Sequence, residues 1–487
     1  MFKDIFRIKS AADLIENVKE DGFKRTLTVS NLITLGIGCV IGTGIFVLTG
    51  TAAANYAGPA LTISFVISAL GCVMAGLCYA EFAAMIPVSG SAYSYSYATL
   101  GEFIAWFIGW DLVLEYLFAA STVSVGWSGY VVSFLDDVGI HLPATLTQAP
   151  FQYTADTGWI LSGSIINLPA IFILITVCSL LILGIKESAA VNKIIVIIKL
   201  AVILLFIGFG LSYIDTSNWT PYIPENTGRF GEFGFSGILV GAAVIFFAYI
   251  GFDALSTVAQ ETKNPQKDMP KGILWSLIIC TALYIAVTAV LTGIVHYTEL
   301  DDPAPIALAI NKVGGSLKWL GFFIKIGAIA GLSSVVLVMI MAQSRILYII
   351  SKDGLLPPFL AKIHPRFNTP HISTVLTSVI AAIIAGLLPI NILGELVSIG
   401  TLMAFTIVSI AIIVLRVKSP ELHRPFRTPY VPFVPILGAI ICVGQMLALP
   451  FDTWMRLVVW MIIGIIIYCC YGYKHSKLSK SDGKKSA

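Results

Sequence analysis

The sequence predicts an all-α integral membrane protein with twelve transmembrane helices. Of its 487 residues, 57% are apolar and only 12% are charged, which is about half the charged fraction of soluble domains. Twelve apolar stretches approach or exceed the roughly 20 residues that a helix needs to cross a bilayer. We number them segments 1 to 12, and they cover residues 31–54, 60–85, 98–121, 167–185, 190–212, 236–256, 272–295, 319–349, 372–389, 392–415, 431–449 and 453–473.

Lysine and arginine are distributed unevenly among the connections between these segments. Of the 30 basic residues, 24 fall in the N-terminus, the C-terminal tail and four connections, 186–193, 263–271, 345–366 and 416–427. The alternate connections hold Arg229, Lys312, Lys318 and Arg456. Because short basic loops stay on the cytoplasmic side, this asymmetry predicts a cell-membrane protein with both termini in the cytoplasm.

The composition excludes several classes of protein. The eight cysteines lie in apolar runs without a CxxC pair, and the six histidines have no metal-ligand spacing, so we expect no metal. We find no P-loop or GxSxG elbow, and therefore expect no enzyme, no cofactor and no nucleic-acid partner. A channel would show a repeated pore loop or a charged ring, and neither is present in the sequence.

Segment 1 contains four glycines, Gly36, Gly38, Gly42 and Gly44. Glycine weakens a helix, and an unwound backbone is tolerated in a membrane only where it faces protein or a watery cavity. This stretch therefore predicts a binding site. The alternative is that the glycines only allow neighbouring helices to pack closely.

Segment 6 has a matching interruption, where Gly251 and Asp253 disturb an apolar run. Paired broken helices in corresponding halves of a chain indicate a transporter built from inverted repeats. Free N–H groups at such a break attract an anionic group, and free carbonyls attract a cationic one. A site with both features fits a zwitterion, which is an amino acid.

Four motifs then identify a family by resemblance. They are GCVIGTGIF at 38–46, PVSGSAY at 87–93, FAYIGFD at 247–253 and RPFRTP at 424–429. In this order they resemble the amino acid–polyamine–organocation superfamily, and most closely the bacterial members of its cationic amino acid transporter branch. The resemblance covers about residues 25–475.

The resemblance implies a leucine-transporter-like fold, in which segments 1–5 and 6–10 form a five-plus-five inverted repeat and two further helices follow. It divides the chain into five parts. These are a cytoplasmic N-terminal segment 1–30, a transport core 31–415, a cytoplasmic basic loop 416–430, segments 11 and 12 at 431–473, and a cytoplasmic basic tail 474–487.

The resemblance also implies a substrate site at the two breaks. The backbone N–H groups of Thr43 and Gly44 would meet the substrate carboxylate, carbonyls near Val40, Phe247 and Ile250 would meet the ammonium, and the ring of Phe247 would act as a gate. The residues implied at the site are Val40, Ile41, Gly42, Thr43, Gly44, Phe247, Ala248, Ile250 and Gly251.

Lys199 lies about nine residues into segment 5, which is roughly 14 Å deep at 1.5 Å per residue. A charge at that depth is costly and indicates a function. In proton-coupled relatives, a lysine at this place occupies the position of a sodium ion, so the resemblance implies that Lys199 couples transport to protons. The alternative is a permanently charged lysine that braces segment 1 through its exposed carbonyls.

Segment 3 carries two acidic residues, Asp111 and Glu115, which are spaced to share one helix face. Either of them could share a proton with Lys199 or meet a basic substrate. The resemblance favours Glu115 as a second proton-coupling residue, and a structural carboxylate is the alternative. We expect Asp253 to cap the second half of segment 6.

Met339 in segment 8 stands where eukaryotic relatives carry a small polar residue, if Arg345 is aligned with the arginine that ends this segment there. A methionine would shorten the side-chain pocket, unless it is ordinary helix packing. We therefore predict a secondary active transporter that imports small or medium neutral L-amino acids with protons. The alternatives are a cationic amino acid carrier and an amino acid/amine exchanger. The expected partners are the amino acid and membrane lipids, and the sequence leaves open whether a small membrane protein joins them.

Overall fold

The computed structural model describes residues 7–9, 26–86, 88, 90–154, 158–184, 189–314, 318–367 and 369–479. Most of the N-terminal segment 1–30, the end of the basic tail, and Pro87 and Ser89 of the PVSGSAY motif lie outside the described residues. Each predicted segment contains helical structure. In the part of the chain that is described, eight helices are long and apolar enough to cross a membrane.

Four further apolar helices are shorter, and the first of them is the N-terminal half of segment 1. Segments 2 to 12 correspond to the helices Leu61–Met85, Glu102–Asp137, Leu168–Ile182, Ala189–Gly210, Gly234–Ile245, Pro265–Ile294, Lys318–Lys352, His371–Leu387, Ile390–Lys418, Phe433–Ala448 and Phe451–Ile467. Segment 1 consists of the helix Val29–Val40 and the helical turns Gly44–Leu48, Thr49–Ala52 and Ala53–Ala57. Short helices at Ser91–Thr99 and Pro305–Val313 lie in the connections.

The connection between segments 3 and 4 departs from the all-α prediction. It contains a two-stranded antiparallel sheet, with β1 at Phe151–Thr154 paired to β2 at Gly158–Leu161. The Tyr153 hydroxyl bonds to Asp452 at the start of segment 12, and the Arg456 guanidinium lies 5.3 Å above the Tyr153 ring. Four-residue strands are at the short end of the usual range, which explains why the sequence pattern did not reveal them.

The helices pack in two sets. Segment 7 packs against segments 1 and 2, and segment 2 also packs against segment 6. In the second set, segment 3 packs against segments 4, 8, 9 and 10, while segment 9 packs against segments 4 and 8. The broken segments therefore belong to one set, and they face segments 3 and 8 of the other.

Candidate functional site

Segment 1 is unwound where its glycines predict. The first helix ends at Val40, Ile41 is extended with ψ at 98°, and helical structure resumes at Thr43. Carbonyls at the end of one helix and N–H groups at the start of the next lack intrahelical partners. A few consecutive residues therefore offer both hydrogen-bond acceptors and donors.

Segment 6 is interrupted in a different way. The helix Gly234–Ile245 tightens into the turn Phe246–Tyr249, Ile250 is extended with ψ at 140°, and a further helical stretch runs over Asp253–Glu261. Gly251 has φ at 113°, a conformation that residues with a side chain rarely adopt. The glycine of this motif is therefore required by the backbone.

The two breaks touch each other through their backbones. A side-chain carbon at position 44 would lie 2.3 Å from the Cα of Ala248, and one at position 251 would lie 2.9 Å from the carbonyl carbon of Cys39. The Tyr284 hydroxyl of segment 7 lies 2.7 Å from the carbonyl oxygens of both Val40 and Ala248. Its single hydrogen can serve only one of these carbonyls at a time.

A cavity lies between the two breaks and segments 3 and 8. The cavity is narrow, because its free volume is about 10 Å³, which is room for about one water molecule. An amino acid could therefore enter only if the lining helices move apart. The lining of the cavity consists of Cys39, Val40, Gly42, Thr43, Gly44, Ala119, Val123, Phe247, Ile250, Val335 and Met339.

Seven of the predicted substrate residues line this cavity, and three lie beside it. Val40, Gly42, Thr43, Gly44, Phe247, Ile250 and Met339 contribute to the lining. Ala248 instead packs on Gly44, and Gly251 packs on Cys39, while the carbonyl of Ile41 points to Lys199. These three residues make contacts that support the two breaks, and they do not line the cavity.

The sequence did not reveal four residues of the lining, Cys39, Ala119, Val123 and Val335. Ala119 and Val123 stand one turn apart on segment 3, as Val335 and Met339 do on segment 8. Within predominantly apolar segments, small apolar residues give no clear signal that separates a cavity wall from ordinary packing. The only hint is their i, i+4 spacing.

Thr43 is the polar side chain of this lining that has no partner of its own. Its hydroxyl is buried and makes no hydrogen bond within the described residues. The threonine lies against Gly126 of segment 3, where a side-chain carbon would come within 2.9 Å of the Thr43 methyl group. A buried hydroxyl of this kind can hydrogen-bond a polar ligand atom or a water in the cavity.

Lys199 lies behind segment 1 rather than in the cavity. Its side chain is fully buried, and its ammonium donates to the carbonyls of Gly38 at 2.8 Å and Ile41 at 3.1 Å. The stem of the lysine packs against Gly331 of segment 8, where a side-chain carbon would lie 2.8 Å from Cε. The lysine thus holds the carbonyls that the break leaves free, which is the contact that the bracing alternative requires.

Glu115 and Asp111 are also fully buried, but they are not joined to Lys199. None of their four carboxylate oxygens has a hydrogen-bond partner among the described residues. Glu115 instead interacts electrostatically with Asp253 and Asp111. Asp253 accepts from the Gly251 N–H at 3.1 Å and from the Tyr116 hydroxyl, so it ties the break of segment 6 to segment 3.

Two broken helices around a small central cavity, within a bundle of apolar helices, define a membrane transporter. The chain belongs to the amino acid permease family, whose model matches residues 27–473, within the amino acid–polyamine–organocation superfamily. It is a multi-pass membrane protein.

Particular relatives carry different names. The chain is 48% identical to a methylthioribose transporter of Bacillus subtilis, and the match covers 98% of this chain and 99% of the relative. It is also 48% identical to the branched-chain amino acid permease BcaP of the same organism, with the same coverage. A vacuolar cationic amino acid transporter 4 of Arabidopsis thaliana is 37% identical, over 85% of this chain and 67% of the relative. The sequence identity supports amino acid transport but does not identify the substrate, which must be inferred from the cavity.

Proposed function

We propose that this protein imports small or medium neutral L-amino acids by symport with protons. The observation that carries the proposal is the division of the cavity into two kinds of surface. Backbone groups and the Thr43 hydroxyl provide the polar side, and Ala119, Val123, Val335 and Met339 provide the apolar side. An amino acid with a short apolar side chain matches both surfaces.

The same lining argues against a cationic substrate. No charged side chain is present among the eleven described residues that line the cavity. A lysine or arginine side chain held within this lining would therefore bury its charge with no carboxylate among the residues that it touches, which costs several kcal/mol. A cationic carrier and an amino acid/amine exchanger remain the alternative functions.

A second candidate is methylthioribose, because a relative of that name is as similar to this chain as the branched-chain permease is. Methylthioribose is a neutral thioether sugar and carries neither an ammonium nor a carboxylate. It would leave the N–H groups and carbonyls of the two breaks without ionic partners, while its methylthio group would suit the apolar wall. An amino acid can bond the N–H groups and carbonyls of the breaks through its charged groups and can also contact the apolar wall, so it matches this cavity better than methylthioribose does.

Two buried side chains support the proton coupling that we propose. Lys199 holds the break of segment 1, and Glu115 stands one turn below Ala119 of the cavity wall. A change of charge at either side chain would alter contacts of the helices that bind substrate. Segments 1, 2, 6 and 7 would move against segments 3, 4, 8 and 9, in the cell membrane and with both termini in the cytoplasm, driven by the proton gradient and without a cofactor.

The test is uptake of labelled alanine into proteoliposomes that contain the purified protein and an inward proton gradient. Unlabelled valine, leucine, arginine and methylthioribose serve as competitors, and protein-free liposomes are the control. We expect uphill uptake that a protonophore abolishes and that valine inhibits. Uptake only into preloaded vesicles would indicate an exchanger, and inhibition by arginine or methylthioribose alone would replace the proposed substrate.

A further inference from the structure

Three carboxyl groups meet on the side of the cavity toward the start of segment 3. Asp111 and Glu115 belong to segment 3, and Asp253 follows the break of segment 6. All three side chains are fully buried, and Glu115 interacts electrostatically with both of the others. A side-chain carbon at Gly400 of segment 10 would lie 3.1 Å from a carboxylate oxygen of Asp111, so segment 10 closes the cluster on that side.

The donors around this cluster do not satisfy it. All four oxygens of Asp111 and Glu115 lack a hydrogen-bond partner within the described part of the chain. Thr401 lies beside Glu115, but its hydroxyl donates to the carbonyl of Val397 in its own helix. Three negative charges with so few donors would cost far more than a folded protein can sustain. At least one carboxyl group of the cluster must therefore be protonated.

A tyrosine of segment 2 points independently to the same place. Tyr79 is fully buried and its hydroxyl has no hydrogen-bond partner among the described residues. That hydroxyl interacts with Asp253, Glu115 and Asp111. A buried hydroxyl of this kind needs a ligand atom or a water, and it faces the same three carboxyl groups from a third helix.

Asp253 connects the cluster to the helix that binds substrate. One of its oxygens accepts the N–H of Gly251, and the other accepts the hydroxyl of Tyr116. A proton that moved onto Asp253 would weaken its bond to the Gly251 N–H, because a neutral carboxyl group is a poorer acceptor. The charge of the cluster is thus linked to the conformation at the break of segment 6.

We propose that Asp111, Glu115 and Asp253 form one shared-proton site that takes up the coupled proton and reports its occupancy to the break of segment 6. This rests on the proposed proton symport. The titratable groups that face the site are Tyr79 of segment 2 and Tyr116 of segment 3, and Thr401 of segment 10 adds a hydroxyl. Lys199 acts separately, on segment 1. Interacting carboxyl groups titrate as a unit, so the proton belongs to the cluster and not to Glu115 alone.

The test uses Asp111→Asn, Glu115→Gln and Asp253→Asn in the full-length protein, with Glu395→Gln as the control. Glu395 is also largely buried, but it has its own partners, because Thr453 donates to it at 2.6 Å and Arg456 lies 3.5 Å away. Proteoliposomes with an internal pH dye report protons and labelled alanine together, and counterflow reports exchange. We expect each cluster variant to lose proton-driven accumulation while exchange survives, and Glu395→Gln to keep both.

Infrared spectroscopy gives a second reading that does not depend on transport. A protonated carboxyl group has a C=O stretching band that shifts in D2O, and we expect this band in the wild type and its reduction in the three cluster variants only. A wild-type spectrum without the band, a band unchanged in all three variants, or variants with the wild-type proton-to-alanine ratio would overturn the shared-proton site. A wild type that shows the band but moves no protons with alanine would instead refute the proposed symport.

Discussion

The two broken helices meet the rest of the protein through opposite chemistry. At segment 1 the carbonyls of Gly38 and Ile41 lie on the side away from the cavity, and the ammonium of Lys199 donates to both. At segment 6 the backbone group is the N–H of Gly251, and it donates to the carboxylate of Asp253. Each break thus receives the charge that complements its free backbone groups.

The difference also concerns where the complementary charge resides. Lys199 reaches segment 1 from segment 5, whereas Asp253 belongs to segment 6 and is tied by the Tyr116 hydroxyl to segment 3. At segment 1 the Lys199 ammonium and the Tyr284 hydroxyl bond the carbonyls, whereas at segment 6 the carboxylate that accepts the N–H interacts with a second carboxyl group, that of Glu115. If protons drive transport as we propose, they would act on segment 1 through Lys199 and on segment 6 through the shared carboxyl groups.

The largest expected effect comes from separating the breaks with Gly44→Val. The new side-chain carbon would lie 2.3 Å from the Cα of Ala248 and 2.4 Å from its Cβ, so the backbone itself must shift. We expect loss of alanine binding and a destabilisation above the usual 1–3 kcal/mol of an overpacked core. Scintillation proximity binding and thermal unfolding in detergent measure the two effects.

Gly42→Ala is the matched control for that substitution. Its added carbon would lie 3.3 Å from a methyl group of Val335, a contact that a small side-chain shift relieves. We expect it to unfold within a few degrees of the wild type and to keep measurable binding. Equal loss of binding in both variants would show that any side chain in this stretch is harmful, and that contact between the breaks is not the cause.

The next largest effect is expected from Lys199→Ala, which removes the ammonium from segment 1. Two buried carbonyls lose their donor, at about 1–3 kcal/mol for each unsatisfied group, and proton-driven accumulation should disappear while some exchange remains. The control is Lys325→Ala. Lys325 is equally buried and is paired with Asp137 at 2.5 Å, but it does not touch either break. Accumulation that survives Lys199→Ala would leave only the bracing role.

The sequence predicts the apolar segments and both breaks, but it does not settle which side chains contact the breaks. The apolar segments and both breaks are visible because composition and glycine act locally, so a run of letters suffices to reveal them. The paired strands Phe151–Thr154 and Gly158–Leu161 were missed because four-residue strands in a loop carry too little periodicity. The partners of the breaks depend on contacts between distant segments, and those follow from the packing of the whole bundle.

The acidic residues make the same point in detail. The i, i+4 spacing of Asp111 and Glu115 placed them on one face of segment 3, and a shared proton with Lys199 was one expectation. The structure instead sets them opposite Asp253, which the sequence suggested only as a cap of segment 6. Asp253 does hold a backbone N–H, that of Gly251, but its place beside Glu115 arises from how segments 3 and 6 pack.

A smaller effect should distinguish the polar side of the segment 1 break from the apolar wall. Thr43→Val keeps the shape of the side chain and removes a buried hydroxyl that has no partner among the described residues. The empty protein should therefore be as stable as the wild type. Alanine affinity should fall about tenfold, or about 1.4 kcal/mol, if that hydroxyl bonds the substrate.

Thr122→Val provides the contrast for that measurement by isothermal titration. The Thr122 hydroxyl is buried in segment 3 and already donates to the carbonyl of Phe118 at 2.7 Å, so its loss should leave alanine affinity unchanged. If Thr43→Val binds alanine as tightly as the wild type does, the Thr43 hydroxyl does not bond the substrate, and the polar side of the cavity consists of backbone groups alone.

The smallest effect is expected from Met339→Ser, which changes the choice of substrate and not its transport. Met339 forms part of the apolar wall opposite the breaks, so a shorter polar side chain would lengthen the pocket. We expect a shift of about fivefold in competition toward larger or cationic amino acids, with alanine still transported, because the low end for one such contact, about 1 kcal/mol, is a factor of about five. Met446→Ser, at a buried methionine of segment 11 outside the cavity lining, should keep the wild-type profile. An identical profile for both variants would mean that the side chain of the substrate does not reach segment 8, and that the breaks alone determine what is bound.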